Sequence, residues 1–221
     1  MTRNLIPALL LTLALSAVAA HASAESQPEW VLAIVDVETT GLDPAHHEMV
    51  DLGAVYVDPD GRELGRFFVR IRPRHPERLD PGAAAVNGYS EARWRELGAV
   101  EEAEAVRRWL EFHAPLAAGH RVIFTALNVW FDQAFTTALL ARSGKRWRDL
   151  FHYQVLDLPS MAWSQGARDL TGAALAARYG IAAETRDPLA HTGSSGVEFN
   201  LMLYRAILAT RPSSPAASPA Q

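Results

Sequence analysis

Asp36 and Glu38 stand two residues apart in the stretch WVLAIVDVETTG, at the end of an otherwise apolar run. On a β-strand, side chains at i and i+2 leave the same face, so both carboxylates would aim at one point. Two such groups repel each other in a dry setting, and a hard divalent cation that prefers oxygen ligands, Mg²⁺ or Mn²⁺, removes that cost. If the strand ends at Val37, both groups instead face water or cap the next turn, with Thr39 and Thr40 assisting.

Two further pieces carry chemistry. In TALNVWFDQAFTTALL, Asp132 follows Asn128 by four and shares its face once a helix has begun. Phe131 and Phe135 form an apolar stripe beside that face, so an ordinary amphipathic helix with an exposed Asp132 is the competing reading. His191 lies in the loop PLAHTGSSG, where a histidine is usually only surface. Within reach of a water held by a cation, its near-neutral pKa suits a general base.

These residues need elements to carry them. WVLAIVDV reads as a buried strand from Trp30 to Val37, broken at Gly41 and LDP. EMVDLGAVYVD, the turn DPDGRE and LGRFFVRIRP read as a hairpin of β-rich strands. LDPGAAAVNG is a turn with a short helix, and a helical pattern begins at Ser90, strongest in EEAEAVRRWLEFHA. A strand at Arg121 to Ala126, a helix at Val129 to Ala141, a short strand in YQVLDLPSMAW and a helix stopped by Gly180 follow. ETRDPLAHTGSSG reads as loop and GVEFNLMLYRAILA as the closing helix. Strands first, then alternating helices and strands, predict a mixed-sheet α/β domain.

Bulk composition narrows the class. The 221 residues contain no cysteine, which excludes disulfides, a thiolate nucleophile and cysteine-held zinc. The formal charge is −4, so no strongly basic surface announces a polyanion partner. Basic clusters run from Arg66 to Arg78, around Arg93 and Arg95, and from Arg142 to Arg148; they read as solvated faces, or, as a set around one cleft, as guides for a polyanion. Neither GxGxxG nor GxxxxGK[ST] occurs, which weakens nucleotide-cofactor readings. Arg3, the apolar run LIPALLLTLALSAVAA and AHASA predict a signal peptide over residues 1–24, and hence a periplasmic or secreted protein. Left uncleaved, the segment would be a membrane anchor; cleaved, it touches the membrane only in transit. Residues 25–209 then form one domain, and 210–221, ending in RPSSPAASPAQ, have the composition of a disordered tail.

The pieces together resemble the DEDDh-type 3'-5' exonucleases, a superfamily of proofreading domains and oligoribonucleases with a ribonuclease H-like mixed β-sheet flanked by helices. DVETTGLDP resembles the first motif and LNVWFDQAF the second, while LDPGAAAVNGYS is similar to the connecting segment near the terminal nucleotide. Carried over, the resemblance implies Asp36, Glu38 and Asp132 as ligands of two divalent cations, Mg²⁺ or Mn²⁺, and His191 as the catalytic base. It further implies substrate contacts at Thr39, Gly41, Asn87, Gly88, Tyr89 and Asn128, and single-stranded nucleic acid or oligonucleotides as partners. Trp94, Tyr89 and Trp130 are candidates for stacking on bases, or core and rim residues.

The third motif departs from the family pattern. An aspartate is expected five residues after the histidine, where this chain has Gly196. Glu198 is a candidate replacement ligand if the loop carries an insertion, although Leu203, Tyr204 and Ile207 fit the uninserted register better; Asp187 is the other nearby acid. A missing anionic ligand weakens its ion. The expected activity is therefore a metal-dependent 3'-5' exonuclease, with a catalytically impaired nucleic-acid or nucleotide-binding relative, or an exported interaction protein, as alternatives.

Overall fold

The computed structural model describes residues 29–210. The proposed signal peptide and the last eleven residues of the proposed tail lie outside them.

The unbroken apolar run that opens WVLAIVDVET makes β1 (Trp30–Thr39) a strand with two buried faces. Val31, Ala33, Val35 and Val37 enter one core layer and Leu32 and Ile34 the other, and Asp36 and Glu38 follow in the second phase. The strand runs two residues past the expected end at Val37, which keeps both carboxylates on regular backbone. β2 (Met49–Val57) pairs antiparallel with β1, placing Gly53 opposite Asp36 and Asp51 opposite Glu38. β3 (Glu63–Arg72) completes the hairpin across the DPDG turn.

Asp80 caps α1 (Pro81–Asn87), which ends at a left-handed Gly88, and Ser90 caps α2 (Glu91–Glu96). The two-residue β4 (Val100–Glu101) adds an edge beside β3 and leads into α3 (Glu102–Ala117). β5 (Arg121–Ala126) returns parallel to β1 and feeds α4 (Val129–Arg142). β6 (Val155–Asp157) is parallel to β5, so the six-stranded sheet has the order β4-β3-β2-β1-β5-β6.

The segment expected only as a short strand turns at once into α5 (Leu158–Ser164). Asp157 accepts the Ser160 N–H at 2.9 Å and Pro159 occupies the first turn, two start signals for a helix. α6 (Gly172–Tyr179), capped by Thr171, stops at the left-handed Gly180 as expected. α7 (Gly193–Ala209) begins three residues earlier than GVEFN suggested, because Thr192 and Ser195 form a reciprocal cap.

α3 and α4 cover one face of the sheet around Trp109, Phe124 and Phe135. α5, α6 and α7 cover the other, with Phe199, Leu203 and Tyr204 against Leu32 and Val55. α7 lies so close that the backbone itself is in contact: a Cβ on Gly53 would come within 2.0 Å of the Gly193 carbonyl oxygen. Among the described residues no helix is long and apolar enough to cross a membrane.

Candidate functional site

The cleft opens at the C-terminal end of β1, where β1 and β5 separate. Their parallel pairing ends at Ile34 and Thr125, which frees the Val37 N–H. α4 supplies the substitute acceptor: Val37 donates to Asp132 Oδ1 at 3.1 Å, fixing a carboxylate that is only 3% exposed. Asn128 starts that helix in a left-handed conformation, φ 56°, a region asparagine tolerates.

Asp36, Glu38, Asp132 and His191 line one cavity of about 460 Å³, with Thr39, Asn87, Asn128 and the exposed Leu42, Val86 and Trp130. A second cavity of about 410 Å³ adjoins the first and shares Val86, Leu127, Glu184 and His191 with it.

His191 is held at both ring nitrogens. Nδ1 is 2.8 Å from the Thr185 carbonyl, which makes it the donor there, and Nε2 meets Glu38 Oε1 at 3.1 Å. The bond to Glu38 raises the imidazole pKa to about 9, against the opposing effect of burial. Arg93 fastens the loop that carries it, donating from Nη2 to the Leu189 carbonyl and from Nη1 to that of Gly88, both at 2.8 Å.

The acids crowd one another. Burial, then the charges of Asp132, Glu38 and Glu184, push the Asp36 carboxyl well above the ordinary carboxylate range. Asp132 is raised as well, chiefly by burial, and only partly offset by the N–H of Val37. Asp51, fully buried behind Glu38, is raised to about 7 by burial and by the Glu38 charge, although the Gly193 N–H donates to it at 2.9 Å. Such a set of hard oxygen donors, short of compensating cations, fits Mg²⁺ or Mn²⁺. Among the described residues no three acidic or histidine side chains already surround a single point at ligand distance.

The remaining expected residues divide. Asn87 donates to the Thr39 carbonyl at 3.0 Å and accepts the Tyr89 N–H, bracing the cleft wall from α1. Thr39 donates its hydroxyl to the Gly41 carbonyl at 2.7 Å, and Gly41 packs so tightly on His47 that a Cβ would lie 2.4 Å from the ring. Gly88 needs its positive φ of 61°, and a Cβ there would come within 2.5 Å of the Pro188 oxygen. Its place is the joint between α1 and the histidine loop. Tyr89 and Trp94 do not line the cleft: both are buried, edge to face at 5.1 Å, and the indole donates to the Val50 carbonyl. Trp130 alone of the three aromatics is on the rim, 67% exposed.

Glu198 is a correction. Counting along α7 turns it away from the cleft, and its carboxylate pairs with Arg66 Nη1 on β3 at 2.8 Å. The uninserted register holds, and Gly196 faces Asp36: a Cβ there would lie 2.1 Å from Asp36 Oδ2. Asp187 is exposed and accepts the Leu189 N–H within its own turn. The basic clusters are largely spent on acids, with Arg66 on Glu63 and Glu198, Arg72 on Glu101, Arg74 and Arg142 on buried Glu102, and Arg146 on Asp149.

Sequence reasoning missed Glu184, Asp51 and Arg93. Asp51 had a signal, an acid inside a run whose neighbours are all apolar; Arg93 and Glu184 had none, since their partners are distant in the chain or defined by the loop path.

The fold has close counterparts among solved structures. Exonuclease I of E. coli in complex with a dT13 oligonucleotide superposes with a TM-score of 0.65 at 19% identity, over 83% of this chain and 42% of that one. Exonuclease I of Methylocaldum szegediense superposes with a TM-score of 0.66, also at 19% identity, over 83% of this chain and 41% of its own. This chain thus spans less than half the length of these structures, which share its ribonuclease H-like fold. No curated protein matches it in sequence. The exonuclease family typified by RNase T, however, matches residues 33–192, most of the described domain, and the chain belongs to that family.

Proposed function

We propose that the protein is a divalent-metal-dependent 3'-5' exonuclease that hydrolyses phosphodiester bonds at the 3' end of single-stranded DNA or RNA. The observation that carries this is the meeting of Asp36, Glu38, Asp132 and His191, from two elements and a loop, in one groove. The oligonucleotide bound by E. coli Exonuclease I supports a single-stranded substrate.

Asp36, Glu38 and Asp132 would hold the cations. When bound, divalent ions neutralise charge on the phosphoryl oxygens and make water acidic enough to act as nucleophile near neutral pH. The protein's own share begins with His191. Its Nδ1–H is committed to Thr185, so Nε2 is the atom that accepts a proton. The bond to Glu38 favours the protonated imidazole; were the Glu38 oxygens to bind a cation, that bond would be released and Nε2 would be left to act as base. Exposed Trp130, Leu42 and Val86 offer apolar surface for terminal bases at the mouth of the groove.

A second reading, binding without turnover, is favoured by Gly196 alone, the position without a carboxylate. One experiment separates the two: 5'-labelled single-stranded DNA and RNA are incubated with the purified chain in Mn²⁺, Mg²⁺ or EDTA, beside the Asp36→Ala variant. A metal-dependent ladder shortened from the 3' end and lost in the variant is expected. A folded protein that shifts the oligonucleotide in a gel but never shortens it would replace the first reading with the second. The proposal includes export of the mature domain through residues 1–24, read by fractionating cells that express the chain with a C-terminal tag.

A further inference from the structure

We propose that Glu184 supplies the fourth carboxylate of the cation site, from the loop ahead of His191 instead of from α7. The proposal rests on the metal-dependent reading and names a ligand for it.

The first turns of α7 have no acid to give. Gly196 faces the Asp36 carboxylate at a distance that leaves no room for a side chain while Asp36 keeps its rotamer. Glu198 is turned out to Arg66, and Asn200 donates to the Val35 carbonyl at 3.3 Å inside the core. Asp51 lines neither cavity: its Oδ1 accepts the Gly193 N–H, and its Oδ2, although likewise without a partner, is fully enclosed in the protein.

Glu184 is the acid that does face the groove. It lines both cavities, its side chain is 24% exposed, and its charge acts on Asp36 and Asp132 alike. Its Oε1 is buried and accepts no hydrogen bond. His191 gives it charge but no hydrogen bond: Nδ1, 3.7 Å away, already gives its proton to Thr185, while Nε2 is turned to Glu38. A carboxylate oxygen enclosed beside three other carboxylates, with no donor of its own, is costly unless a cation completes its surroundings. A hard divalent ion accepts carboxylates from any element that brings them to it, so the loop restores the anionic ligand count that Gly196 lowers.

The test is Mn²⁺ titration of the full chain without nucleic acid, followed by electron paramagnetic resonance of the free ion. Wild type, Glu184→Gln, Glu184→Ala, Glu198→Gln and Asp36→Asn are compared, with near-UV circular dichroism as the check on packing. At a loop position a quarter exposed, both Glu184 variants are expected to stay folded. Both should weaken the more loosely held ion about tenfold or more, while Glu198→Gln binds as wild type does. Wild-type binding in the folded Glu184 variants would overturn the proposal, as would an equal loss in Glu198→Gln, which marks lowered net charge only. If wild type takes up no Mn²⁺, or Asp36→Asn binds as well as wild type, the cation-site reading itself falls and this proposal with it.

Discussion

Asp36 is asked to be ionised in a place that resists ionisation. Burial and four neighbouring carboxylates, Asp132, Glu38, Glu184 and Asp51, favour its protonated form, so its folded pKa lies above the unfolded value. A raised carboxyl pKa contributes stability below the ordinary value near 4 and loses it as pH rises through the folded value. Near neutral pH and without cation, the ionised group is therefore a net cost. Replacing it by the isosteric Asp36→Asn should raise the melting temperature of the metal-free protein, by about 1 kcal/mol of stability. Added Mn²⁺ should then stabilise wild type but not the variant. Calorimetry with and without metal reads both; a variant less stable than wild type in EDTA would show that the repulsion is already relieved within the fold.

The site depends on how two elements are seated. α7 meets the sheet through glycines, with Gly193 against the Asp36 carbonyl and Gly53 against the Gly193 carbonyl. Backbone cannot rotate away as a side chain can, so Gly53→Ala must lift the start of α7 from β2. About 3 kcal/mol of stability should be lost, at the upper end of overpacking costs, as read by urea denaturation. The helix that shifts also anchors Thr192, next to the histidine. The second element is the histidine loop, pinned by Arg93 and by the bare backbone of Gly88 to the corner between α1 and α2. Two joints, neither of them a catalytic group, thus set where His191 stands relative to Glu38.

Across the whole molecule, acid stability is set by opposing groups. The raised carboxyls of Asp36, Asp51 and Asp132 favour the folded state at low pH. His113 works against them. It is 6% exposed on α3, 2.8 Å from the Tyr56 hydroxyl, and burial lowers its pKa to about 4. A depressed histidine pKa contributes stability that is complete above the unfolded value near 6.5 and is lost as pH falls toward 4. The predicted signature is a difference: from pH 6.5 to 4, wild type should lose up to roughly 3 kcal/mol more than His113→Phe. Denaturation of both proteins across that range checks it, and parallel curves would mean the imidazole is charged or exposed in the fold. The charge map has a functional side as well. Arginines that looked like a track for a polyanion are mostly paired with acids, Arg74 and Arg142 on Glu102 at the base of α3 being the most buried case. They tie strand, loop and helix ends together, Arg142 joining α4 to α3 and Arg72 joining β3 to β4.

Local chemistry was written plainly in the chain. The apolar run that opens at Trp30, the DPDG turn and the stop at Gly180 each follow from short-range sterics and hydrophobic patterning, so the strands, hairpin and helix end were legible. The two-residue spacing of Asp36 and Glu38 likewise reported a shared face, because a strand's geometry is local. Where Asp132 would land was not local: it depended on β1 and β5 parting beyond Ile34 and leaving the Val37 N–H for it to accept. Glu198 looked eligible by distance along the chain alone, until the start of α7 at Gly193 turned it toward Arg66. Glu184 was invisible for the converse reason, since no periodicity governs a loop and only the path between α6 and α7 brings its carboxylate to the groove. The sequence by itself determined the elements and the kinds of chemistry they could carry; the tertiary structure alone decided which acids face one another, because that is set by helix phase and by backbone contacts between distant segments.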